Sequence, residues 1–397
     1  MTEIVCSAAV VANGPIAYFL GMVPRKNTKR TNAARPSKSP SHNQLRREIR
    51  KADRELIRVI SDRAKLVHQL AKSLASPKNG PAELASDLET LNELIARYNG
   101  TFPVDSVKAI LRELYSGSIA LVEPPSVAYL GPPYSYSHLA AQAHFGSSGN
   151  LVPVGTIAAV FEEVVTGNSS WGLAPIENST DGRVVDTLDM FARVPLKICA
   201  EVQLRIHHNL LGQYDKNDRT IDEVYSKPQA LSQCRAWLAR HFPRAKKIET
   251  PSTAEAARKA SKKRRAAAIA SRPAAAAYGL DVLAANIEDN PNNVTRFAVL
   301  GKNVPDRTGN DKTVLMFALP HRDGTLADAT AIFKRCRLNL TWIESFPMRD
   351  VQNEYLFIVE FEGHPDDTRS KRALEALKKK TVRLDILGAY AKTHPVE

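Results

Sequence analysis

Asp289-Asn290-Pro291-Asn292-Asn293-Val294-Thr295-Arg296-Phe297 is the stretch on which the reading of this chain turns. It gathers amides, a carboxylate, a hydroxyl and a guanidinium, and its only large apolar residue before Phe297 is Val294. The Asn-Pro step predicts a turn, so these side chains are expected on a loop rather than along a solvated helix. A second dense polar cluster, Pro175-Ile176-Glu177-Asn178-Ser179-Thr180-Asp181-Gly182, follows the short apolar segment Gly172-Leu173-Ala174, as a loop leaving a strand would. Either loop alone is ordinary turn chemistry. Two of them in one α/β region point to a pocket for a small polar ligand.

Around this centre the chain divides by pattern. A length of 397 residues exceeds one ordinary core, so two to four units are expected. The nearly uncharged stretch 4–23 contains Asn13, Gly14 and Pro15 and lacks a basic start, which argues against a signal peptide or membrane helix. Residues 24–43 form a basic, Ser/Pro-rich tract without apolar period, the end of a disordered leader covering 1–43. That leader holds Arg25, Lys26, Lys29, Arg30, Arg35 and Lys38 against Glu3 alone, part of the net charge of +13. The cluster from Arg258 to Arg265 reads as a solvated helix face, and no nucleic-acid motif accompanies it. Cys6, Cys199, Cys234 and Cys336 show neither metal nor disulfide spacing, which suits a reducing cytoplasm. No metal, no cofactor, no membrane and no nucleic-acid partner is expected.

Residues 44–123 read as helices. Leu45, Ile49, Ala52, Leu56, Val59, Leu66 and Leu70 recur at alternating four and three, with Arg63 inside the seam. A charge in an apolar stripe needs a partner, so something anionic is expected at Arg63, unless the side chain snorkels out. Leu84, Leu88, Leu91 and Ile95 mark a second helix, and Val107, Ile110, Leu111 and Leu114 a third. Residues 127–304 alternate short apolar and helical segments, the pattern of α/β layers. Strands are expected at 127–130, 172–174, 202–211, 266–271 and 297–300, and helices at 138–145 and 230–241. His207 and His208, in the run read as one strand, are expected to be structural or hinge residues. Residues 311–393 read as β-α-β-β-α-β, a compact sandwich.

Thr-Arg-Phe after an Asn pair, and Pro-Ile-Glu-Asn-Ser followed by a Gly, resemble the paired signatures of prephenate dehydratases. Tyr129-Leu130-Gly131-Pro132, Ser135-Tyr136-Ser137-His138-Leu139-Ala140-Ala141, Ser226-Lys227-Pro228-Gln229-Ala230 and Ser252-Thr253-Ala254 follow in family order. The resemblance covers most of the chain and is to bifunctional chorismate mutase/prephenate dehydratases. It implies a multidomain α and α/β protein: an all-helical mutase-type domain over 44–123, a two-lobed α/β dehydratase over 127–304, and a βαββαβ ACT domain over 311–393. The implied reaction is loss of carbon dioxide and the ring hydroxyl from prephenate, giving phenylpyruvate, in a cytoplasmic homodimer of the phenylalanine pathway. Arogenate dehydration and a non-catalytic small-molecule sensor are the alternatives.

The resemblance assigns leaving-group donation to Thr295. The substrate-binding positions are Ser137, Glu177, Asn178, Ser179, Thr180, Ser226, Gln229, Asn293, Arg296 and Phe297, the last expected to pack beneath the loop. Arg183 replaces the usual Ser or Thr after Gly182, and Lys227 the usual His, both adding positive charge near an anion's site. The mutase positions that match are Arg46, Arg63, Glu83, Asp87 and Ser118. The family's lysine falls on Leu74, with Lys72 nearby, an arginine falls on Ser86, and a glutamine falls near Val122 and Glu123. Losing one preorganised donor costs about 10²–10³ in rate, so the mutase is expected to be degenerate. L-phenylalanine sensing is assigned to Gly324, Thr325, Leu326, Glu344 and Ser345, with Phe346 replacing an arginine.

Overall fold

The computed structural model describes residues 41–73, 94–95, 97–121, 124–213, 220–347 and 355–396, with the side chains of 71–73 excepted. Most of the expected leader, the second helix, and Leu74, Glu83, Ser86 and Asp87 lie outside the described residues, as does the side chain of Lys72. The described chain forms two compact units, the first ending at Ile57 and the second running from Arg58 to the carboxyl terminus. Helix α1 (His42–Ser73) crosses that division. Its predicted seam is real as a periodicity, but Leu45, Ile49, Leu56, Val59, Leu66 and Leu70 are all exposed. Within the second unit, Arg63 of α1 donates through Nη1 to Ser118 Oγ at 2.6 Å, on α2 (Val104–Ala120). That hydroxyl passes its own proton to the Leu114 carbonyl at 2.6 Å. The partner found for Arg63 is thus an oriented hydroxyl where an anion was expected.

The α/β region opens with β1 (Ser126–Leu130), α3 (Tyr136–Phe145), β2 (Asn150–Val154), α4 (Ile157–Thr166), β3 (Trp171–Asn178), β4 (Gly182–Arg183), α5 (Val185–Arg193) and β5 (Lys197–Arg205). Local chemistry explains the helix starts: Ser135 accepts from the His138 amide and Thr156 from the Ala159 amide. Helix α4 buries Ile157, Val160, Phe161 and Val164, one helical stripe, and stops where Gly167 takes a φ of 83°. The chain then builds a second, five-stranded sheet from β6 (Asn209–Gly212), β7 (Glu223–Ser226), α6 (Pro228–Gln233), α7 (Arg235–His241), β8 (Lys246–Glu249), α8 (Thr253–Ala260), β9 (Ala266–Ala270), α9 (Arg272–Tyr278) and β10 (Asp281–Ala284). Its order is β10-β6-β9-β7-β8. Strand β9 is wholly buried and packs with Ala256, Ala257, Ala260, Ala274 and Ala275 in a core of small side chains, which lets α8 and α9 lie close to the sheet. Strand β11 (Val294–Gly301) returns to the first sheet between β3 and β5.

Three sequence expectations change here. The single strand read over 202–211 is two strands in different sheets, broken at 206–208, where the chain crosses over. Glu288 holds that break, accepting from the His208 amide and meeting His207 Nδ1, each at 2.8 Å. The single helix over 230–241 is α6 and α7, because Asp289 accepts from the Ala236 and Trp237 amides and caps α7 separately. The loop read through Phe297 ends earlier, since β11 begins at Val294 and places Thr295 on a strand.

The carboxyl-terminal part consists of β12 (Asp311–Ala318), α10 (Thr325–Cys336), β13 (Leu340–Pro347), β14 (Tyr355–Glu362), α11 (Thr368–Lys378) and β15 (Arg383–Ala391). Its strands extend the first sheet, giving the order β13-β14-β12-β15-β5-β11-β3-β1-β2, with β4 beside β3. The join is a parallel pairing of Gly388 with Ile198, where a Cβ on Gly388 would fall on the Ile198 carbonyl. Beside this join lies a buried charge cluster. Arg296 meets Glu177 at 2.8 Å, Glu201 at 3.1 Å and Glu360 at 2.6 Å. Lys312 reaches Glu201 and Glu360 at 3.3 Å each. Tyr390 and Thr341 also donate to Glu360, and the Arg296 guanidinium lies 5.4 Å from the Trp342 ring centroid.

Burial alone would raise the Glu360 pKa, but Arg296 and Lys312 with the two hydroxyl donors outweigh it and hold the carboxyl below its ordinary 4.5. The stability linked to this depression is fully present above that value and is lost as pH falls through the lower folded value. Glu360→Gln is therefore expected to flatten the acid-side fall in stability seen in the native chain. Glu360→Leu is expected to cost about 3 kcal/mol, as for breaking a buried pair, measured as a lower urea midpoint at pH 7. An unchanged midpoint would show the cluster to be dispensable.

Candidate active site

Strands β3 and β11 run antiparallel, with Thr295 opposite Asn178 and Arg296 opposite Glu177, and a bulge then skips Ile176 before Phe297 meets Pro175. Side chains alternate along a strand, so Thr295 and Arg296 leave by opposite faces. Arg296 and Glu177 bind each other within the charge cluster. Thr295 instead joins a group of amides and hydroxyls at the carboxyl end of β3.

Asn178 sets the polarity of that group. Its Oδ1 accepts from the amides of Thr180 at 2.9 Å and Asp181 at 3.0 Å. The side chain cannot flip without losing both bonds, so Nδ2 must face the other way. There it donates to Asn293 Oδ1 at 2.9 Å and Thr295 Oγ1 at 2.8 Å. Thr295 is thereby an acceptor, and its own proton has no acceptor among the described residues. Ser179 is spent on the loop: its Oγ accepts from the Val294 amide at 3.0 Å and donates to the Asn292 carbonyl at 3.3 Å. Thr180 Oγ1 leans on Asn293 Oδ1 at 3.4 Å.

The second sheet reaches the same group through Gln233, the last residue of α6. Its Oε1 accepts from Asn293 Nδ2 at 2.9 Å, and its Nε2 donates to Asp181 Oδ2 at 2.9 Å. His208 Nε2 lies 2.8 Å from the same Oε1, and His208 Nδ1 lies 2.9 Å from the Tyr136 hydroxyl. Burial lowers the His208 pKa and favours the neutral ring, against the raising pull of Gln233, Glu288 and Asp181. Burial, with Cys234 and Glu288 nearby, raises that of Tyr136 far above the usual phenol.

The structure thus gathers Asn178, Ser179, Thr180, Asn293 and Thr295 at one place. It does not bring every expected residue there. Ser226 is fully buried and donates to the Ile269 carbonyl at 2.7 Å, Gln229 is exposed on α6, and Ser137 is buried in the first turn of α3. Phe297 is core, as expected. Tyr136, Gln233 and Glu288 escaped the sequence reading. Gln233 follows Gln229 by one helical turn, the only local sign of it. Elsewhere, Gly324 opens α10 with a φ of 76°, Thr325 donates to the Pro320 and Arg322 carbonyls, and Leu326 is exposed. Glu344 binds Arg183 at 2.7 Å, Ser345 is exposed, and Phe346 is buried in the sheet core. Arg46 is exposed on α1. A cavity of about 470 Å³ beside Arg307, Arg337 and Ser370 is lined by none of the expected site residues.

Residues 127–305 match the family model for prephenate dehydratase. A bifunctional chorismate mutase/prephenate dehydratase of Aquifex aeolicus is 39% identical over 88% of this chain and 97% of its own length. This chain belongs to the bifunctional chorismate mutase/prephenate dehydratase family. Among solved structures, a prephenate dehydratase from Arthrobacter aurescens in complex with L-Phe is 31% identical, with a TM-score of 0.63 over 67% of this chain and 90% of that one. GqqA, described as a quorum-quenching acylase, is 27% identical, with a TM-score of 0.61 over 68% of this chain and 98% of its own. The fold therefore accompanies more than one described activity, and the family's chemistry has to be argued from the site. No described helix is long and apolar enough to cross a membrane.

Asn178→Asp inverts the bond to Thr295, because a carboxylate can only accept and turns the threonine proton toward itself. With prephenate as substrate, this variant is expected to lose roughly 10²-fold or more in kcat. A kcat within twofold of the native chain would remove Asn178 from the site.

Proposed function

We propose that this chain dehydrates and decarboxylates prephenate to phenylpyruvate in L-phenylalanine synthesis, with Thr295 as the leaving-group donor. The observation that carries this is the locked Asn178 amide, which makes Thr295 Oγ1 an acceptor and frees its proton. In the reaction, the electrons of the bond to the ring carboxylate move into the ring and carbon dioxide leaves. The ring then expels hydroxide, which takes a proton and departs as water. Aromatisation drives the step, so the enzyme chiefly has to ease hydroxide departure. A positioned hydroxyl donor does that, although threonine is a weak acid by itself. Asn293 and Thr180 border the same place as groups that orient the substrate.

Acyl transfer, suggested by the description of GqqA, needs a nucleophile beside a base. Among the described residues neither Ser179 nor Thr295 has a histidine or carboxylate within hydrogen-bond reach. Among the described residues, the only histidine joined to the site is His208, which is bound to Tyr136 and Gln233.

The β12–β15 part is proposed as an ACT domain that binds L-phenylalanine through Gly324, Thr325, Leu326, Glu344 and Ser345. Its support is the L-Phe complex of the Arthrobacter relative and the retained Gly324 and Glu344. The protein is proposed to be cytoplasmic and homodimeric. The mutase-type segment keeps Arg63 beside Ser118, but Leu74 and Ser86 replace family donors, so it is proposed to be weak or silent.

Thr295→Ala is expected to lower kcat on prephenate by roughly 10²-fold, followed as phenylpyruvate absorbance. Unchanged turnover would remove Thr295 from the mechanism. A proton-NMR time course with chorismate alone tests the other segment. Loss at the uncatalysed rate, with phenylpyruvate appearing, is expected; rapid loss would show an active mutase.

A further inference from the structure

The hydrogen bonds that fix Thr295 do not end at Asn178. Asn293, 2% exposed, is itself fixed by Gln233, the last residue of helix α6, which packs on β9 of the second sheet. Donor and acceptor roles follow one by one. If the Gln233 amide flipped, its NH2 would face the NH2 of Asn293, and its oxygen would face the Asp181 carboxylate. The observed orientation is thus the one both neighbours permit. His208 Nε2 must then carry a proton to reach Gln233 Oε1, and the single proton of the Tyr136 hydroxyl faces two acceptors at 2.9 Å, the His207 carbonyl and His208 Nδ1. Donation thus runs from His208 and Asn293 to Gln233, and from Asn178 to both Asn293 and Thr295.

Resting on the dehydratase reading above, we propose that Gln233 is a positioning residue for the reaction. From α6 it holds Asn293 and Asp181 together, so that Asn178 presents Thr295 with its proton free for the leaving hydroxyl. The backbone reinforces this, because the Asp289 amide donates to the Gln233 carbonyl at 2.7 Å. Gln233 therefore ties the 178–182 and 289–293 loops to the second sheet, and the spacing of the two sheets is read out at one threonine.

The test uses the full chain with prephenate. Gln233→Leu is expected to lower kcat by roughly tenfold or more, with KM within about twofold, as for a misplaced rather than missing group. The double variant Thr295→Ala/Gln233→Leu is expected to be no slower than Thr295→Ala, because Gln233 acts through Thr295. A second variant guards against a folding defect. Gln233→Glu keeps the shape, but its carboxylate repels Asp181; protonated, it again offers a donor. The charged or titratable groups around it are Asp181, His208 with Tyr136 behind it, Glu288 through His208, and Asp289. The kcat of Gln233→Glu relative to the native chain is therefore expected to rise on acidification. An active native chain whose Gln233→Leu variant keeps full kcat, a fully additive double variant, or a flat Gln233→Glu ratio overturns the inference alone. A native chain that leaves prephenate intact overturns the dehydratase reading and this inference with it.

Discussion

The guanidinium of Arg296 is the point on which the large sheet hangs. It sits where β11, β5 and β14 converge and is held by a carboxylate from each neighbouring segment, Glu177, Glu201 and Glu360. Such a cation cannot be left unpaired away from water, so the three carboxylates must stay where they are. Glu177 precedes Asn178 at the end of β3, and Glu360 belongs to the carboxyl-terminal strands. The residue next to the candidate donor therefore fixes the frame in which that donor is placed.

The two faces of β11 divide the labour. Arg296 locks one face with charge, where burial makes ion pairing strong and geometry strict. Thr295 works on the other with neutral amides, whose bonds have direction but little field. This suits a site that must steer a single proton. An arginine at the same place would attract an anion, but it would also compete for the threonine oxygen. The neutral network reaches into the second sheet through Gln233 and His208, so neither sheet alone completes it.

Much of this was legible in the sequence. The two polar clusters stood out because hydroxyls and amides crowd beside short apolar strands, and they do meet across β3 and β11. The hydroxyls quoted at Ser135 and Ser252 turn out to cap helices, accepting from the His138 and Glu255 amides. What was hidden depends on residues far apart in the chain. The break at 206–208 is held by Glu288, 80 positions from His208. The strand-like flanks hid the break itself, although His207 and His208 already read as structural or hinge residues. The resemblance set Arg296 among the substrate-binding positions, whereas its carboxylates Glu201 and Glu360 stand 95 and 64 positions away. Gln233 looked like any polar residue on a helix, because its partners come from three separate loops.

The join between Gly388 and Ile198 matters beyond packing. Strand β5 has β11 on one side, and on the other only β15 and the tail, where Val396 exchanges backbone bonds with Gln203 and Arg205. A chain cut before β12 would bare that side of β5 as an open edge lined by Ile198, Ala200 and Val202, a template for pairing with other chains. The carboxyl-terminal strands thus also act as a cover for the sheet, and a shortened form would expose an edge prone to aggregation.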